Sequence, residues 1–261
     1  MFDYHLHSAV SVDSVCAAKK MVRAAERTGL KEICFTDHYD FNDDPQKHHD
    51  LFALEDYRAA YETLASEKTA IRRGVEFGLT LWNPPRLKAL LGEYPFDFVI
   101  GSVHFVGGFD PYYPEFWEQN AGQDSFEKYL LQTLECVKVH DDYDVLGHIN
   151  YVCKSIYNPT RKPLRYRDYR DLCDEIMKRL AEKGRGMEVN TSGMDRVGEF
   201  LPSGDYLKRF KELGGQIITV GSDAHDDTRI GQYIPQAMEM VKDIFGYVCT
   251  FEKRKAVFHR L

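Results

Sequence analysis

Histidine and carboxylate residues recur in this chain directly after short apolar segments. His5 and His7 follow one such segment, and Asp223 and His225 follow another with the same spacing. Residues i and i+2 of a strand face the same side, so both members of either pair can reach one metal ion. Imidazole and carboxylate donors without thiolates suit Zn, Mn or Fe. The spacing therefore indicates metal-dependent hydrolysis.

More donors of the same two kinds follow other apolar segments. They are Asp13, His38, Glu76, His104 and His148. Nine candidate ligands are too many for one tetrahedral ion, whereas a carboxylate such as Glu76 could bridge two ions in a cluster of two or three. Two close metals form an electrostatic clamp suited to phosphate ester hydrolysis. Each residue taken alone has another explanation: Asp13 could cap the following helix, and the others could be hydrogen-bonded core residues.

Seven strand-like segments position these donors, and helical patterns separate several of them. The predicted strands are 2–6, 32–36, 73–77, 98–105, 145–149, 186–190 and 216–221, and the clearest predicted helices are 15–27, 54–67, 125–140 and 166–182. Asp124 and Glu127 are expected to cap the third helix. Alternating strands and helices predict a parallel sheet. Seven units favour a closed or nearly closed barrel with its site at the carboxyl ends of the strands, and a doubly wound open sheet is the alternative.

Length, charge and cysteine usage restrict the function further. The 261 residues fit one large α/β domain spanning 1–261. A net charge of −7 argues against a nucleic-acid partner, because such proteins carry a basic excess. The six cysteines include no C-x-x-C pair, which favours buried thiols in a reducing cytoplasm. No signal peptide or membrane-spanning apolar run is recognisable, so we expect a cytoplasmic protein without membrane contact. The sequence leaves the oligomeric state open.

With these motifs in order, the sequence resembles the PHP (polymerase and histidinol phosphatase) superfamily. The matching segments are DYHLHS near the start, TDH at 36–38, GVEFG at 74–78, GSVHF at 101–105, GHINYV at 147–152, EVNTSG at 188–193 and GSDAHD at 221–226. The resemblance implies a distorted seven-stranded, TIM-like (β/α)7 barrel forming a single metal-dependent phosphoesterase domain. Asn150 departs from the pattern, since an acid is expected at that position.

The resemblance also implies how the ligands are shared among two or three divalent ions. The first ion would be held by His5, His7, Glu76 and Asp223. Glu76 would bridge to a second ion held by His104 and His148, and Asp13, His38 and His225 would bind a third. Glu76, Asp223 and His225 are the expected catalytic residues. The sequence contains no nucleophile elbow and no convincing Cys/His pair, so direct attack by metal-activated hydroxide is favoured over a covalent intermediate.

A narrower resemblance is to the stand-alone histidinol-phosphate phosphatases of the PHP group. It rests on SVHFVGGFD, the insertion that follows, EVNTSG and the C-terminal FEKRKAVFHRL. It implies hydrolysis of L-histidinol phosphate to L-histidinol and inorganic phosphate in histidine biosynthesis. The alternatives are a PHP-type nuclease or nucleotide phosphatase, a phosphotyrosine-type phosphatase, and a non-catalytic module stabilised by metal.

Binding of a small phosphate ester also requires cationic side chains near the phosphate and a segment that covers the substrate. Arginine suits phosphate because its guanidinium group binds in a bidentate manner. The resemblance implies that Arg161 and Arg196, in the loops after the fifth and sixth predicted strands, bind the phosphate, with Arg229 and Lys154 in reserve. Each arginine could equally be a solvated surface residue. The insertion 110–120 could cover an imidazole-bearing substrate, and its candidate residues for this role are Tyr112, Tyr113, Glu115 and Trp117. A surface loop packed by its own aromatic side chains is the alternative.

Overall fold

Parallel strands surround the centre of the molecule in the computed structural model, which describes residues 1–261. The strands are β1 (Phe2–Leu6), β2 (Glu32–Phe35), β3 (His38–Asp40), β4 (Asp50–Leu51), β5 (Ala70–Gly78), β6 (Phe98–Ser102), β7 (Val145–Leu146), β8 (Gly186–Asn190), β9 (Ile218–Gly221), β10 (Tyr247–Glu252) and β11 (Lys255–Arg260). Seven of them form the main sheet in the order β1-β2-β5-β6-β7-β8-β9, with every neighbouring pair parallel. All seven predicted strands are present.

The sheet closes between its first and last strands. His7 N donates to Ala224 O over 2.9 Å, and Asp223 N donates to His5 O over 2.8 Å. A parallel bridge between Leu6 and Ala224 accompanies these bonds. The nearly closed seven-stranded barrel is therefore confirmed, and the open doubly wound sheet is wrong. Closure places the segments after β1 and β9 side by side.

Helices cover the outside of the barrel. They are α1 (Ala18–Thr28), α2 (Leu54–Tyr61), α3 (Pro84–Glu93), α4 (Pro114–Gln119), α5 (Ser125–Val139), α6 (Arg170–Glu182), α7 (Met194–Val197), α8 (Gly204–Glu212) and α9 (Ile234–Phe245). The predicted cap of α5 is confirmed, because the Asp124 side chain accepts from the backbone N–H groups of Phe126 and Glu127. The main hydrophobic core, a cluster of 58 buried residues, includes side chains of both the strands and the covering helices. None of the helices is long and apolar enough to cross a membrane.

Several predicted helices and strands were longer than the elements in the structure. Helix α2 ends at Tyr61 rather than residue 67, and Ser66 Oγ accepts from the backbone of Lys68 and Thr69 in the turn that precedes β5. Strand β7 has only two residues, paired with Ile100 and Gly101 of β6. Since β6 ends at Ser102 and β7 at Leu146, His104 and His148 lie in the loops that follow these strands.

A C-terminal hairpin that the strand pattern did not predict closes the other end of the barrel. Strands β10 and β11 pair antiparallel, and Phe251 packs against Tyr4 and Phe98 inside the barrel. In the connecting turn, Arg254 bonds to Asp144, directly before β7. Since the hairpin occupies the amino ends of the strands, only the carboxyl ends remain open to a ligand.

Candidate metal centre

A cavity of about 680 Å³ opens at the carboxyl ends of the barrel strands. Seven of the nine predicted ligands line it, namely Asp13, His38, Glu76, His104, His148, Asp223 and His225. The remaining two, His5 and His7, are fully buried and reach the same cluster from β1 and its end. Barrel closure thus brings together residues that are more than 200 positions apart in the sequence.

Glu76 lies at the centre of this cluster, fully buried near the end of β5. Its Oε2 atom is 3.1 Å from His5 Nε2 and 3.5 Å from His7 Nε2. Its Oε1 atom is 3.3 Å from His104 Nε2 and 3.0 Å from His148 Nε2. The Oε2 atom is also 3.1 Å from His38 Nδ1. The two oxygens therefore face different sets of imidazoles, an arrangement that would allow Glu76 to bridge two ions.

The carboxylate of Asp223 also faces His5 and His7. Its Oδ1 atom is 3.4 Å from His7 Nε2 and 3.8 Å from His5 Nε2. Its Oδ2 atom accepts hydrogen bonds from Lys154, Asn190 and Ser192. These three donors hold one oxygen and leave the other facing the imidazoles.

A third group lies at the more exposed side of the cavity. Asp13 Oδ2 is 2.8 Å from His225 Nε2 and 3.5 Å from His38 Nε2. Helix α1 begins at Ala18, with Ala17 in the capping position, so Asp13 is not its cap. The helix-cap explanation for Asp13 is wrong, and the carboxylate faces two predicted ligands instead.

The donor atoms fit divalent metal ions. Groups able to hold an ion, with ligand atoms within 4.8 Å of one another, are His5–His7–Asp223, His5–Glu76–His148, His7–Asp13–His38–His225 and His38–Asp40–His104. His5 Nε2, His7 Nε2 and Glu76 Oε2 are buried and make no hydrogen bond. Buried polar atoms without partners cost free energy, and metal coordination would remove that cost. Nitrogen and oxygen donors without thiolates are consistent with Zn, Mn or Fe(II).

Three further side chains, two carboxylates and one hydroxyl, contact predicted ligands and would orient them. Glu188 contacts His5 Nδ1, Asp40 Oδ2 lies 2.7 Å from His104 Nδ1, and Ser102 Oγ donates to Glu76 Oε1 over 2.6 Å. Such contacts select the imidazole tautomer and ring orientation. The sequence analysis did not assign these roles. The signal for Asp40 was its i+2 spacing from His38, and the signal for Glu188 was a charged residue inside the apolar strand β8.

Electrostatic interactions in the cluster favour an ionised Glu76. Burial alone raises the pKa of this carboxyl, but the surrounding His5, His104 and His38 imidazoles outweigh burial and hold the pKa well below its usual value. Burial likewise lowers the pKa of Lys154, yet contact with Asp223 outweighs burial and raises it. Glu76 is therefore available as an anionic ligand, and Lys154 contributes a partly buried positive charge.

The sequence matches the model of the PHP domain over residues 3–192. The chain belongs to the PHP family. Among curated PHP relatives, it is 35% identical over 259 residues to the histidinol-phosphatase of Lactococcus lactis, covering 97% of this chain and 95% of the relative. It is 31% identical to the probable histidinol-phosphatase of Clostridium acetobutylicum, covering 97% and 98%. The family expectation from the motifs is confirmed.

A solved PHP structure resembles the whole chain. It is the crystal structure of the histidinol phosphate phosphatase from Lactococcus lactis, complexed with zinc, L-histidinol and phosphate. The TM-score is 0.83 at 31% sequence identity, and the match covers 98% of both chains. The similarity therefore extends beyond residues 3–192 to the C-terminal hairpin.

The predicted phosphate-binding arginines of this PHP chain lie in different places. Arg196 lines the cavity and donates to Tyr112 Oη over 3.2 Å. Arg229 and Lys154 line it as well, and Arg229 pairs with Asp195. Arg161 is exposed and does not line the cavity. Its role in phosphate binding stays a prediction that this geometry does not support.

Only some of the residues predicted to cover the substrate in the insertion after β6 lie at the cavity. Tyr112 and Tyr113 line the cavity, together with Asp110, whereas Glu115 and Trp117 do not. The Trp117 Nε1–H group donates instead to Pro111 O and Ser155 Oγ, which fixes the ring within the loop. Asn150 is buried close by, and its Oδ1 atom makes no hydrogen bond. Both interpretations of the insertion therefore hold in part: one end faces the cavity, and the other is packed by its own aromatic side chains.

Proposed function

We propose that this protein is a metal-dependent histidinol-phosphatase that hydrolyses L-histidinol phosphate to L-histidinol and inorganic phosphate, a reaction of histidine biosynthesis. The observation that carries the proposal is Glu76, whose two oxygens face different sets of imidazoles at the open end of the barrel. The substrate assignment is supported by whole-length similarity to histidinol-phosphatases. We also propose that residues 1–261 form one domain and that the enzyme is cytoplasmic, in keeping with six buried cysteines that form no disulfide.

We propose a centre of two or three divalent ions. His5, His7, Glu76 and Asp223 would hold the first, Glu76, His104 and His148 the second, and Asp13, His38 and His225 the third. Zinc is supported by the complex of the Lactococcus lactis enzyme, and the donor set also suits manganese or iron. When bound, such ions supply a water of lowered pKa and positive charge for the phosphoryl oxygens. Glu76, Asp223 and His225 are the proposed catalytic residues of the chain itself.

Two cationic side chains of the cavity are available to the phosphate. Arg196 offers a planar fork that suits phosphate oxygens, and Lys154 offers a partly buried ammonium group. Because a phosphomonoester carries nearly two negative charges, binding requires positive charge next to the carboxylate-rich centre. The barrel surrounds the site and the C-terminal hairpin closes its other end, so substrate can enter only through the cavity mouth.

Phosphate release by the purified, metal-replete protein tests the proposal. L-Histidinol phosphate is compared with nucleoside monophosphates, phosphotyrosine and a short RNA. We expect kcat/KM for L-histidinol phosphate to exceed the others by at least about 100-fold, because the site's cations and polar groups must match a specific ligand. A preference for nucleotides or RNA would keep the metal centre but overturn the substrate.

Two arginine variants test phosphate binding within the same assay. Arg196→Ala should raise KM for L-histidinol phosphate by about tenfold or more, because a charge-assisted hydrogen bond is lost. Arg161→Ala tests the other predicted arginine, which is exposed and outside the cavity, and its KM should stay within about twofold if only Arg196 binds the phosphate. The reverse result would assign the phosphate to Arg161.

A further inference from the structure

One carboxylate in the cavity has no positive partner. The carboxylates that line the cavity are Asp13, Asp40, Asp50, Glu76, Asp110, Asp195 and Asp223. Six of these seven lie within 4.0 Å of a histidine, lysine or arginine nitrogen. Asp110 forms no such pair and is not among the proposed metal ligands. Its carboxylate is therefore not paired with a cationic side chain of the protein.

The structure holds Asp110 in a defined orientation. Its Oδ1 atom accepts from the backbone N–H of Tyr112 over 2.7 Å and from the Tyr151 hydroxyl over 2.9 Å. Both bonds go to the same oxygen, so Oδ2 is left without a hydrogen-bond partner at the cavity wall. Burial raises the pKa of this carboxyl, as expected for an anion removed from water without a cation.

The surroundings of Asp110 suit a cationic group of a ligand. The rings of Tyr112 and Tyr113 line the same cavity and form an edge-to-face pair with centroids 5.4 Å apart. Aromatic faces attract ammonium groups, and a partly buried carboxylate gains a charge-assisted hydrogen bond from one. Tyr112 also contacts Arg196 through its hydroxyl. Tyr112 is thus hydrogen-bonded both to Asp110 and to Arg196, the cation proposed to bind phosphate.

A substrate that combines phosphate with an amine would match both charges. L-Histidinol phosphate carries a primary amine that is protonated at neutral pH, in addition to its imidazole. We propose that Asp110 binds the ammonium group of the substrate and thereby selects amine-bearing phosphomonoesters. This inference rests on the proposed phosphatase function and adds the residue that recognises the amine.

Paired substrates isolate the ammonium contact. The metal-replete Asp110→Asn variant is assayed with L-histidinol phosphate and with 3-(imidazol-4-yl)propyl phosphate, in which hydrogen replaces the amine. Phosphoethanolamine and ethyl phosphate form a second pair without the imidazole. We expect kcat/KM for both amine-bearing esters to fall about 10- to 100-fold, mainly through KM, while the amine-free esters change by less than about twofold. Asp50→Asn is the matched control, since Asp50 lines the same cavity but pairs with His48.

Three results would overturn the inference. An equal loss on all four esters would mean that Asp110 acts through Tyr151 on the metal centre. A loss confined to the two imidazole-bearing esters would assign the carboxylate to the imidazole. Unchanged kinetics would exclude any contact with substrate. Metal content, Tm and a second variant, Asp110→Ser, separate these results from a folding defect.

The same experiment distinguishes this inference from the proposed function. If the unmodified enzyme fails to prefer L-histidinol phosphate over nucleotides, the substrate assignment fails. The comparison of phosphoethanolamine with ethyl phosphate still tests the ammonium contact in that case. If the preference holds but Asp110→Asn retains the discrimination between amine-bearing and amine-free esters, only the present inference fails.

Discussion

At the residue scale, Glu76 connects two parts of the candidate centre because its oxygens diverge toward different imidazoles. Residues beside the proposed ligands contribute as well, since Glu188, Asp40 and Ser102 each contact an atom of a ligand side chain. Substitution of a proposed ligand should therefore reduce activity and metal binding more than substitution of a residue that only orients a ligand.

Replacing Glu76 by glutamine keeps the side-chain size and removes one negative charge. We expect kcat/KM to fall at least about 100-fold and the bound metal per chain to decrease, because an amide cannot bridge two cations as a carboxylate does. Elemental analysis and phosphate release on the same preparation measure both effects. Retention of metal and activity together would remove Glu76 from the centre.

Asp40 should act through His104. Asp40→Ala removes the acceptor 2.7 Å from His104 Nδ1 and should weaken metal affinity about 10- to 100-fold. Asp40→Asn keeps an acceptor oxygen and should lose less. Titration with a competing chelator measures the affinity, and Asp56→Asn, exposed on α2, serves as the control. Equal affinities for Asp40→Ala and the control would refute the orienting role.

At the element scale, the C-terminal hairpin fills the end of the barrel opposite the cavity. Phe251 is 2% exposed and packs with Tyr4 and Phe98, whereas Phe258 on the partner strand is 52% exposed. The two phenylalanines therefore provide a matched test of what the hairpin contributes.

Phe251→Ala should lower the free energy of unfolding by about 3–5 kcal/mol through lost burial and a cavity. Phe258→Ala should change it by no more than about 0.5–1 kcal/mol. Chemical denaturation of both variants gives the comparison. Similar values for the two would show that the hairpin does not depend on the barrel interior.

An ion pair between α6 and α8 should make stability depend on pH. Arg209 hydrogen bonds hold the pKa of Asp174 below its ordinary value of 3.8. A lowered folded pKa means that the pair stabilises the fold above the unfolded pKa and that this stabilisation is lost as pH falls through the folded value. Asp174→Asn should therefore lower Tm at pH 7, and the difference should shrink below about pH 4. Asp243→Asn, exposed and without an ion pair, should lower Tm at neither pH.

At the scale of the whole molecule, the proposed metal centre joins β1, β5 and the loops after β6, β7 and β9. Bound ions would therefore couple strands from both halves of the chain. Any ligand that binds only the folded state stabilises that state by RT ln(1 + [L]/Kd), where [L] is the free ligand concentration.

Removing metal should lower thermal stability throughout the barrel. We expect dialysis against a chelator to lower Tm by on the order of 10 °C, and zinc or manganese to restore it. Differential scanning calorimetry measures the shift, and Glu76→Gln should respond less to the chelator. An unchanged Tm would mean that the ligand cluster holds its geometry without contributing to stability.

The strands, the type of fold and the nine candidate ligands could be predicted from the amino-acid sequence. These follow from alternation along a strand and from the position of polar residues after apolar segments, which consecutive residues encode locally. The narrow family motifs also led to the phosphatase function. The sequence could not determine side-chain geometry across the barrel.

Which side-chain atoms face one another became known only from the folded structure. The divergent oxygens of Glu76, the exposed position of Arg161 and the missing partner of Asp110 all depend on closure between β1 and β9 and on the course of long loops. The unpredicted hairpin illustrates the same limit, because Phe251 is buried against residues such as Tyr4 and Phe98, which lie far from it in the sequence. Contacts between distant segments depend on how the whole chain packs, so no local periodicity encodes them.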